Sequence, residues 1–429
     1  MSMDFNLPPD LVVYLAELDA FIEAEIKPLQ AQDDNERFFD HRREWARTDF
    51  ENGGLPRHEW EELLAVARRR ADQAGHLRFA LPKEYGGRDG SNLWLTVIRD
   101  HFAAKGLGLH NDLQNEHSIV ANNPFVLVMR DFGTPEQRAE FVNGMLDETR
   151  RLAFGLTEPN HGSDATHMEM RAVMQARNGV DGWLIDGEKM WATGMHTATH
   201  GVVFARTSGE DGDAKGITAF IVPANAQGVK VEEYLWTFNM PTDHPRVSFT
   251  SVWVEDSAVL GPLDGGLAIA QYFVHENRIR QAASSLGAAD YCVRESVKYA
   301  RSRKPFGEPL ANNQGIQFPL VELATQVEML RLLIRKTAWE MDQMPKRDVE
   351  KFLSDKVSMC NYWANRLCCD AADRAMQVHG GIGYSRHKPF EHIYRHHRRY
   401  RITEGSEEIQ MRKVAGFLFR YMGPDKIPS

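Results

Sequence analysis

The chain has 429 residues, 42% of them apolar and 26% charged, with 33 glycines and 19 prolines, a composition that excludes collagen-like, low-complexity and small disulfide-stapled proteins. At ~150 residues per domain it has material for two or three domains with a sizeable core. With 51 basic against 60 acidic side chains the net charge is −9, so no global basic field draws the chain to nucleic acid.

From Asp10 to about Arg151 the spacing predicts helices. Asp10, after Pro8-Pro9, is a candidate N-cap, and Leu11, Tyr14, Leu15, Leu18, Phe21, Ile22, Ile26 and Leu29 then recur at helical intervals. Trp60, Leu63, Leu64 and Ala67 mark a second amphipathic helix. Leu81-Pro82 and Gly86-Gly87 break the chain, and Pro135 opens a further helix behind Thr134. From about Leu152 to Gly261 the character turns to β. Asp181-Gly182 and Asp186-Gly187 read as hairpin-type turns among the β-branched and aromatic runs Val202–Ala205, Ile217–Val222, Val229–Leu235 and Val247–Val254. Beyond Gly265-Gly266 long helices return over roughly 267–303, 316–343, 349–379 and 406–421. Helices, then a small sheet, then helices, make three layers or subdomains instead of βαβ alternation.

No apolar run approaches the ~20 residues of a membrane helix. The start MSMDFNLPPD lacks the basic and apolar parts of a secretory signal and the Arg-rich character of a transit peptide. DKIPS at the other end is no lipidation or peroxisomal signal. Cys292, Cys360, Cys368 and Cys369 show no CxxC spacing, which argues against structural zinc and a disulfide framework and for a reducing compartment. The expected location is cytoplasmic. No GxGxxG lies between a strand and a helix and no GxxxxGK[ST] occurs, so a Rossmann dinucleotide site and a P-loop are both rejected.

Five segments can carry chemistry. Leu156-Thr157-Glu158-Pro159-Asn160-His161-Gly162-Ser163-Asp164 lies where helix gives way to sheet. Its hydroxyls and close-approaching N–H groups suit an anionic or carbonyl-rich ligand, although the same residue types build ordinary turns. In Lys189-Met190-Trp191-Ala192-Thr193-Gly194, placed on one strand, Trp191 and Thr193 share a face. They form either a stacking surface and hydroxyl donor for a flat cofactor or an ordinary half-buried strand. In Tyr299–Gly307, followed by Asn313-Gln314, the basic residues either complement a helix end or, through Arg303, hold a pyrophosphate bidentately. Gln377-Val378-His379-Gly380-Gly381-Ile382-Gly383-Tyr384 has more glycine than a C-cap needs, which points to close approach of a ligand or another chain. In Thr403–Gln410, Ser406 is a candidate N-cap with Glu407 and Glu408 in the first turn. Glu404, on a loop beside Gly405, is either a solvated acid or a base acting on a carbonyl compound whose oxygen the N–H groups bind.

In order and spacing these segments resemble the acyl-CoA dehydrogenase family of flavoproteins over nearly the whole chain. The resemblance implies an α+β, mostly α fold: an amino-terminal helical domain (1–151), a middle β-sheet or barrel domain (152–262) and a carboxyl-terminal four-helix bundle (263–429). It also implies bound FAD, an acyl-CoA substrate, an electron-transferring flavoprotein as acceptor and a homotetramer built as a dimer of dimers; the net charge of −9 and the lack of a long apolar run argue against nucleic acid and membrane as partners. Phe154, Leu156, Thr157 and Ser163 match the first flavin-contacting segment, and Trp191 and Thr193 the second. Arg303, Phe306, Gln314, Gln377 and Gly381 match positions that hold the FAD of a neighbouring subunit, and Ser406 and Glu408 the last FAD contacts. Glu404 aligns with the catalytic base, and Ser163, Arg278 and Gly405 with substrate-contacting positions. Pro305 stands where a hydroxyl residue is frequent, so one flavin hydrogen bond is expected to be absent. Some branches of the family carry the base directly before the Arg matched by Arg278. That residue is Asn277 here, and Glu276 lies about 100° around the helix, so the base falls to Glu404.

The implied reaction is α,β-dehydrogenation of an acyl-CoA thioester to the trans-2-enoyl-CoA. Glu404 removes the α-proton from one face, the β-hydrogen passes as hydride to flavin N5 on the other, and Thr193 donates to N5. Same-fold alternatives are an acyl-CoA oxidase using oxygen and a non-catalytic or DNA-associated relative. The polar stretch His110–Ser118 is a candidate lining of the acyl pocket. His387, His392, His396 and His397 cluster with Arg395, Arg398, Arg399 and Arg401. With no suitably placed Cys or third carboxylate this is no recognisable metal site, and a surface facing the CoA tail or another subunit is expected. Cys368-Cys369 is expected in a helix core.

Overall fold

The computed structural model describes residues 6–111, 118–121, 123–237 and 239–427. The chain divides into two compact units, one of Met1–Arg47, Arg57–Asn122 and Asn277–Ser429, the other of Thr48–Pro56 and Asn123–Glu276.

In the first unit, helix α1 (Pro9–Phe21) has Pro8, not Asp10, at its N-cap, and Asp10 lies in the first turn, where a carboxylate complements the helix dipole. The stripe Leu11, Tyr14 and Leu18 continues through Ile22, Ile26 and Leu29 and is buried throughout. Helix α2 (His58–Gln73) turns Trp60, Leu63, Leu64 and Ala67 into the same core. Helix α3 (Asn92–Ala103) adds Leu95, Ile98 and Phe102. Ser91 caps α3 through the N–H of Trp94, and the Asp342 carboxylate accepts from the N–H groups of Asn92 and Leu93 at 2.8 and 3.0 Å. Orphan donors at the helix start are thereby satisfied.

The rest of this unit is built from α4 (Gly266–Ser302), which enters it at Asn277, α5 (Gln314–Asp342), α6 (Ser354–His379), α7 (Phe390–Tyr400) and α8 (Glu407–Leu418). Their shared core is rich in small residues: Ala282, Ala283 and Ala289 of α4 and Ala364, Ala371 and Ala375 of α6 belong to one buried cluster with Leu286, Leu330 and Leu367. Cys292, Cys360, Cys368 and Cys369 are buried free thiols in this packing.

Helix α7 corrects one expectation. His392, His396 and His397 do not face outward; all three are buried. The His392 ring stacks on His41 at 4.5 Å, His396 Nε2 lies 2.9 Å from the Tyr400 hydroxyl, and His397 Nδ1 lies 2.8 Å from Ser285 Oγ. Burial, reinforced by the Arg399 guanidinium, lowers the His397 pKa to about 3; burial also takes His392 and His396 well below the ordinary range, helped by the His41 and Arg47 charges at His392 and by Arg399 at His396.

The second unit holds an eight-stranded mixed sheet. Its strands are β1 (Leu152–Gly155), β2 (Arg171–Met174), β3 (Gly182–Met190), β4 (His200–Arg206), β5 (Ile217–Pro223), β6 (Val229–Tyr234), β7 (Pro245–Glu255) and β8 (Val259–Leu260). They lie in the order β8-β5-β4-β2-β3-β7-β6, and β1 pairs in parallel with β4. Val202, Phe204, Ile217, Phe220, Val247 and Val252 are buried, and β4 and β5 are covered on both faces. Asp186-Gly187, expected as a turn, lies inside β3: the β3–β7 register shifts between Ile185 and Gly187, and Gly187 takes φ +144°. The pair makes a bulge, which needs the same permissive backbone as a turn. Among the described residues no helix is long and apolar enough to cross a membrane.

Candidate active site

The loop between α7 and α8 is pinned at both ends. Ser406 accepts from the N–H of Ile409 at 3.4 Å, and Arg401 grips the Glu407 carboxylate bidentately at 2.9 Å on each oxygen. Between these anchors Glu404 sits at φ +57° and Gly405 at φ +90°. A glutamate there carries strain of ~1–3 kcal/mol, which persists only where neighbours over-determine the backbone. They do so here. Arg278 donates from Nε and Nη2 to the Glu404 carbonyl at 2.8 and 2.5 Å, and Gln410 Nε2 donates to the Gly405 carbonyl at 2.7 Å. The backbone angle favours glycine, and a Cβ on Gly405 would come within 2.8 Å of Arg278 Nη2 and displace the guanidinium that holds Glu404. Asn277 Nδ2 lies 3.5 Å from Glu404 Oε1. Burial pushes the Arg278 pKa down, and the nearby Glu404 charge opposes that.

Elsewhere in this unit a cavity of about 420 Å³ brings together Arg303, Tyr299, Leu310, His379, Gly380 and Gly381. The Tyr299 and His379 rings stack at 4.3 Å. The glycine cluster separates into three roles. A Cβ at Gly383 would strike the Met376 carbonyl at 2.4 Å, and Gly380 takes φ +63° at the end of α6. At Gly381 a Cβ would meet nothing within 4 Å. Packing within the chain therefore explains Gly383 and helix termination explains Gly380, while Gly381 leaves open backbone at the cavity. Phe306 and Gln314 are exposed, as is Gln377, and the cavity lining includes none of these three.

In the second unit the expectation that Trp191 and Thr193 lie on a strand is corrected. β3 stops at Met190, because Trp191 turns to φ +64° and its N–H bonds to the Pro245 carbonyl at 2.9 Å. Both side chains are exposed. Thr193 Oγ1 lies 3.3 Å from His244 Nδ1, itself 2.8 Å from Asp243 Oδ1. Phe154 stacks on Phe273 at 4.5 Å with rings 7° apart, which uses its ring within the unit. Ser163 is exposed.

One charged pair escaped the sequence reading. Lys189 Nζ and Glu158 Oε1 meet at 2.8 Å with side chains 1% and 3% exposed. Lys189 also donates to the Leu156 carbonyl at 3.2 Å, and Glu158 accepts the N–H groups of Glu169 and Met170 at 2.6 and 2.9 Å. The pair staples the Leu156–Thr157 segment to the end of β3, where the Met190 N–H bonds the Thr157 carbonyl at 2.8 Å. Burial pulls the Lys189 pKa to about 8 against the opposing pull of Glu158.

Models of the acyl-CoA dehydrogenase N-terminal, middle and C-terminal domains match residues 13–149, 153–252 and 264–419. The chain is 35% identical to the 3-(aryl)acrylate reductase of Clostridium sporogenes, over 81% of this chain and 88% of the relative. The chain belongs to the acyl-CoA dehydrogenase family. It is therefore an oxidoreductase, in a family that depends on FAD and uses acyl-CoA substrates. The caffeyl-CoA reductase-Etf complex subunit CarC of Acetobacterium woodii is 30% identical, over 81% of this chain and 87% of its own. The structure of butyryl-CoA dehydrogenase from Megasphaera elsdenii is similar with a TM-score of 0.78 at 26% identity, covering 97% of this chain and all of that one (100%).

The residues present fit the family's flavin nucleotide. The second unit offers an exposed indole and hydroxyl at Trp191 and Thr193, suited to a flat ring. The first offers Arg303 and open backbone at Gly381 beside a cavity, suited to phosphate. Among the described residues no group of three His, Cys, Asp or Glu is arranged to hold a metal ion. Of the His110–Ser118 stretch, residues 112–117 lie outside the described residues, while His110 and Ser118 are buried.

Proposed function

We propose that this acyl-CoA dehydrogenase family member catalyses α,β-dehydrogenation of an acyl-CoA thioester to the trans-2-enoyl-CoA, with Glu404 as the α-proton acceptor. The observation that carries the reading is the strained Glu404-Gly405 loop, whose two carbonyl oxygens are engaged by Arg278 and Gln410. An α-C–H is a poor acid, so the oxygen that gains charge as the proton leaves must be stabilised. The Glu404 backbone N–H serves there, beside a glycine that leaves the approach unobstructed. One such positioned donor contributes ~3–4 kcal/mol, and general-base assistance a further ~10²–10⁴-fold. Bound FAD supplies the two-electron acceptor for the β-hydrogen. Leu156, Thr157, Ser163, Trp191, Thr193, Ser406, Glu408 and the backbone of Phe154 would hold it, with Arg303, Phe306, Gln314, Gln377 and Gly381 reaching the FAD of a neighbouring subunit.

A homotetramer built as a dimer of dimers is part of this proposal. Exposed Phe318, Val321, Met329, Leu332 and Trp339 along α5 support self-association. An electron-transferring flavoprotein as acceptor is supported by the relative named as part of an Etf complex. Free buried thiols support a cytoplasmic location.

A second reading runs the same residues in reverse, with protonated Glu404 delivering its proton to the α-carbon of an unsaturated thioester. The two relatives named as reductases favour it. Anaerobic titration decides between them. Bleaching of the oxidised protein by a saturated acyl-CoA supports dehydrogenation, and reoxidation of the reduced protein by enoyl- or arylacrylyl-CoA, without such bleaching, supports reduction. Stoichiometric hydrogen peroxide in air would indicate an oxidase. A colourless protein that takes up no added FAD would end all three readings.

A further inference from the structure

We infer that Gln410 and Asn361 are positioning residues for the base loop, acting through a buried amide network; the inference rests on the assignment of Glu404 as base. Gln410 on α8 and Asn361 and Asn365 on α6 are completely buried, where amide groups are costly unless bonded. Gln410 Nε2 donates to the Gly405 carbonyl at 2.7 Å and to Asn361 Oδ1 at 3.0 Å. Asn361 Nδ2 donates to the Arg278 carbonyl at 2.8 Å, tying down the backbone of the residue whose guanidinium holds Glu404. Asn365 Nδ2 donates to Asn361 Oδ1 at 3.1 Å and to the Tyr400 carbonyl at 3.1 Å, and Ser285 Oγ donates to Asn365 Oδ1 at 2.6 Å.

These bonds join the three segments that determine the loop: α4 through Arg278, the end of α7 through Tyr400, and α8 through Gln410. The peptide planes following Glu404 and Gly405 are each fixed by a side-chain donor, Arg278 for one and Gln410 for the other. These are the planes on either side of Gly405, so together they fix its left-handed turn, and Arg278 also fixes the plane that follows the left-handed Glu404; the loop that carries the Glu404 side chain is held through both. Apolar side chains of similar volume would fill the same space without the desolvation cost, so packing alone does not account for these amides. A connected network does, because it specifies one arrangement of a strained backbone.

The test is made on the FAD-loaded protein with an acyl-CoA analogue carrying sulfur at the β-position, which has an α-proton to give and no β-hydrogen to lose. In D2O the base removes the α-proton and returns a deuteron, and NMR reads the exchange with no flavin reduction. Gln410→Met and Asn361→Leu should keep FAD and bind the analogue near the wild-type level, while exchange falls ~10–100-fold, the cost of a small misplacement of a reacting group. Gln410→Glu supplies a second signature. Its carboxyl donates to the Gly405 carbonyl only while protonated, and burial keeps that proton on above the ordinary carboxylate range, so exchange should decline toward alkaline pH, where the wild-type rate does not fall. Wild-type exchange in Gln410→Met and Asn361→Leu, or a wild-type pH profile in Gln410→Glu, would overturn the inference. If the apolar variants lose FAD or fail to fold, the Gln410→Glu profile decides alone, since it is judged against its own low-pH rate. Glu404→Gln is the control: exchange persisting there refutes the base assignment itself, whatever Gln410 does.

Discussion

The Arg278 guanidinium bonds to the main chain of Glu404: Nε and Nη2 converge on its carbonyl oxygen at 2.8 and 2.5 Å. The family resemblance places Arg278 among substrate contacts, whereas here two of its donors are committed to the loop that carries the proposed base. A planar fork aimed at one carbonyl holds a peptide plane more firmly than a single-point donor does.

Arg278→Lys keeps the charge and loses the fork. The protein should fold and retain FAD, with kcat lowered ~10–100-fold by misplacement of the base and KM little changed. Steady-state kinetics on an accepted acyl-CoA checks this. A variant that raises KM and spares kcat would return Arg278 to substrate binding.

Lys189 and Glu158 form the other engaged pair, 2.8 Å apart inside the second unit. Removing one member leaves a buried charge, which costs ~3–5 kcal/mol, while removing both costs far less. Lys189→Met should therefore lower Tm sharply, and Lys189→Met with Glu158→Gln should recover much of the loss. The single variant should also release FAD more readily, because the Leu156 carbonyl loses its donor. Thermal melts and retained-flavin absorbance measure both effects, and strictly additive single substitutions would contradict the staple.

Most of the helical framework was legible because apolar residues recur at 3.6-residue intervals, as in α1 and α2. Helix α7 was not, since half of its buried face, His392, His396 and His397 beside Phe390, Ile393 and Tyr400, carries no hydrophobic signal. Trp191 read as strand because side-chain alternation says nothing about φ, and its left-handed backbone ends β3. At the site, Glu404 and Gly405 stood out through family spacing and the open backbone of glycine. Glu158 with Lys189, and Asn361 with Gln410, did not: partners 31 and 49 positions apart share no local pattern, and only the fold brings them together.

The buried histidines predict acid sensitivity. An unfolded imidazole titrates near ~6.5, whereas folded His397 titrates at about 3 and His392 and His396 also lie well below the ordinary value. Between the folded and unfolded pKa values the unfolded chain binds more protons, so stability is present above ~6.5 and is lost as pH falls below it. Each histidine contributes up to ~1.4 kcal/mol per pH unit. The Arg47, Arg395 and Arg399 charges act in the same direction, while Glu44 and Glu391 are already engaged by Arg395. Tm should fall steadily from about pH 7 to about pH 5, above the range where most carboxylates titrate. A flat Tm across that interval would mean these rings are protonated in the fold.

The last prediction concerns the base. Glu404→Gln keeps the side-chain length and an amide for hydrogen bonding but accepts no proton at neutral pH. The loop should hold its shape, because Arg278 and Gln410 bond main-chain carbonyls that the substitution leaves in place. FAD content and acyl-CoA binding should therefore survive, and turnover should fall by at least the ~10²–10⁴ of a positioned general base. Adding Asn277→Glu makes the test sharper. Asn277 Nδ2 lies 3.5 Å from Glu404 Oε1, so a carboxylate grown from position 277 enters the space beside the one removed. Its Cβ starts from a helix instead of a loop, so the new carboxylate approaches the α-carbon along a different line and recovery should be partial. Flavin reduction by acyl-CoA under anaerobic conditions measures both variants. Partial recovery in the double variant supports Glu404 as proton acceptor with position 277 as its geometric neighbour, whereas near wild-type reduction by Glu404→Gln alone would move the base to another residue.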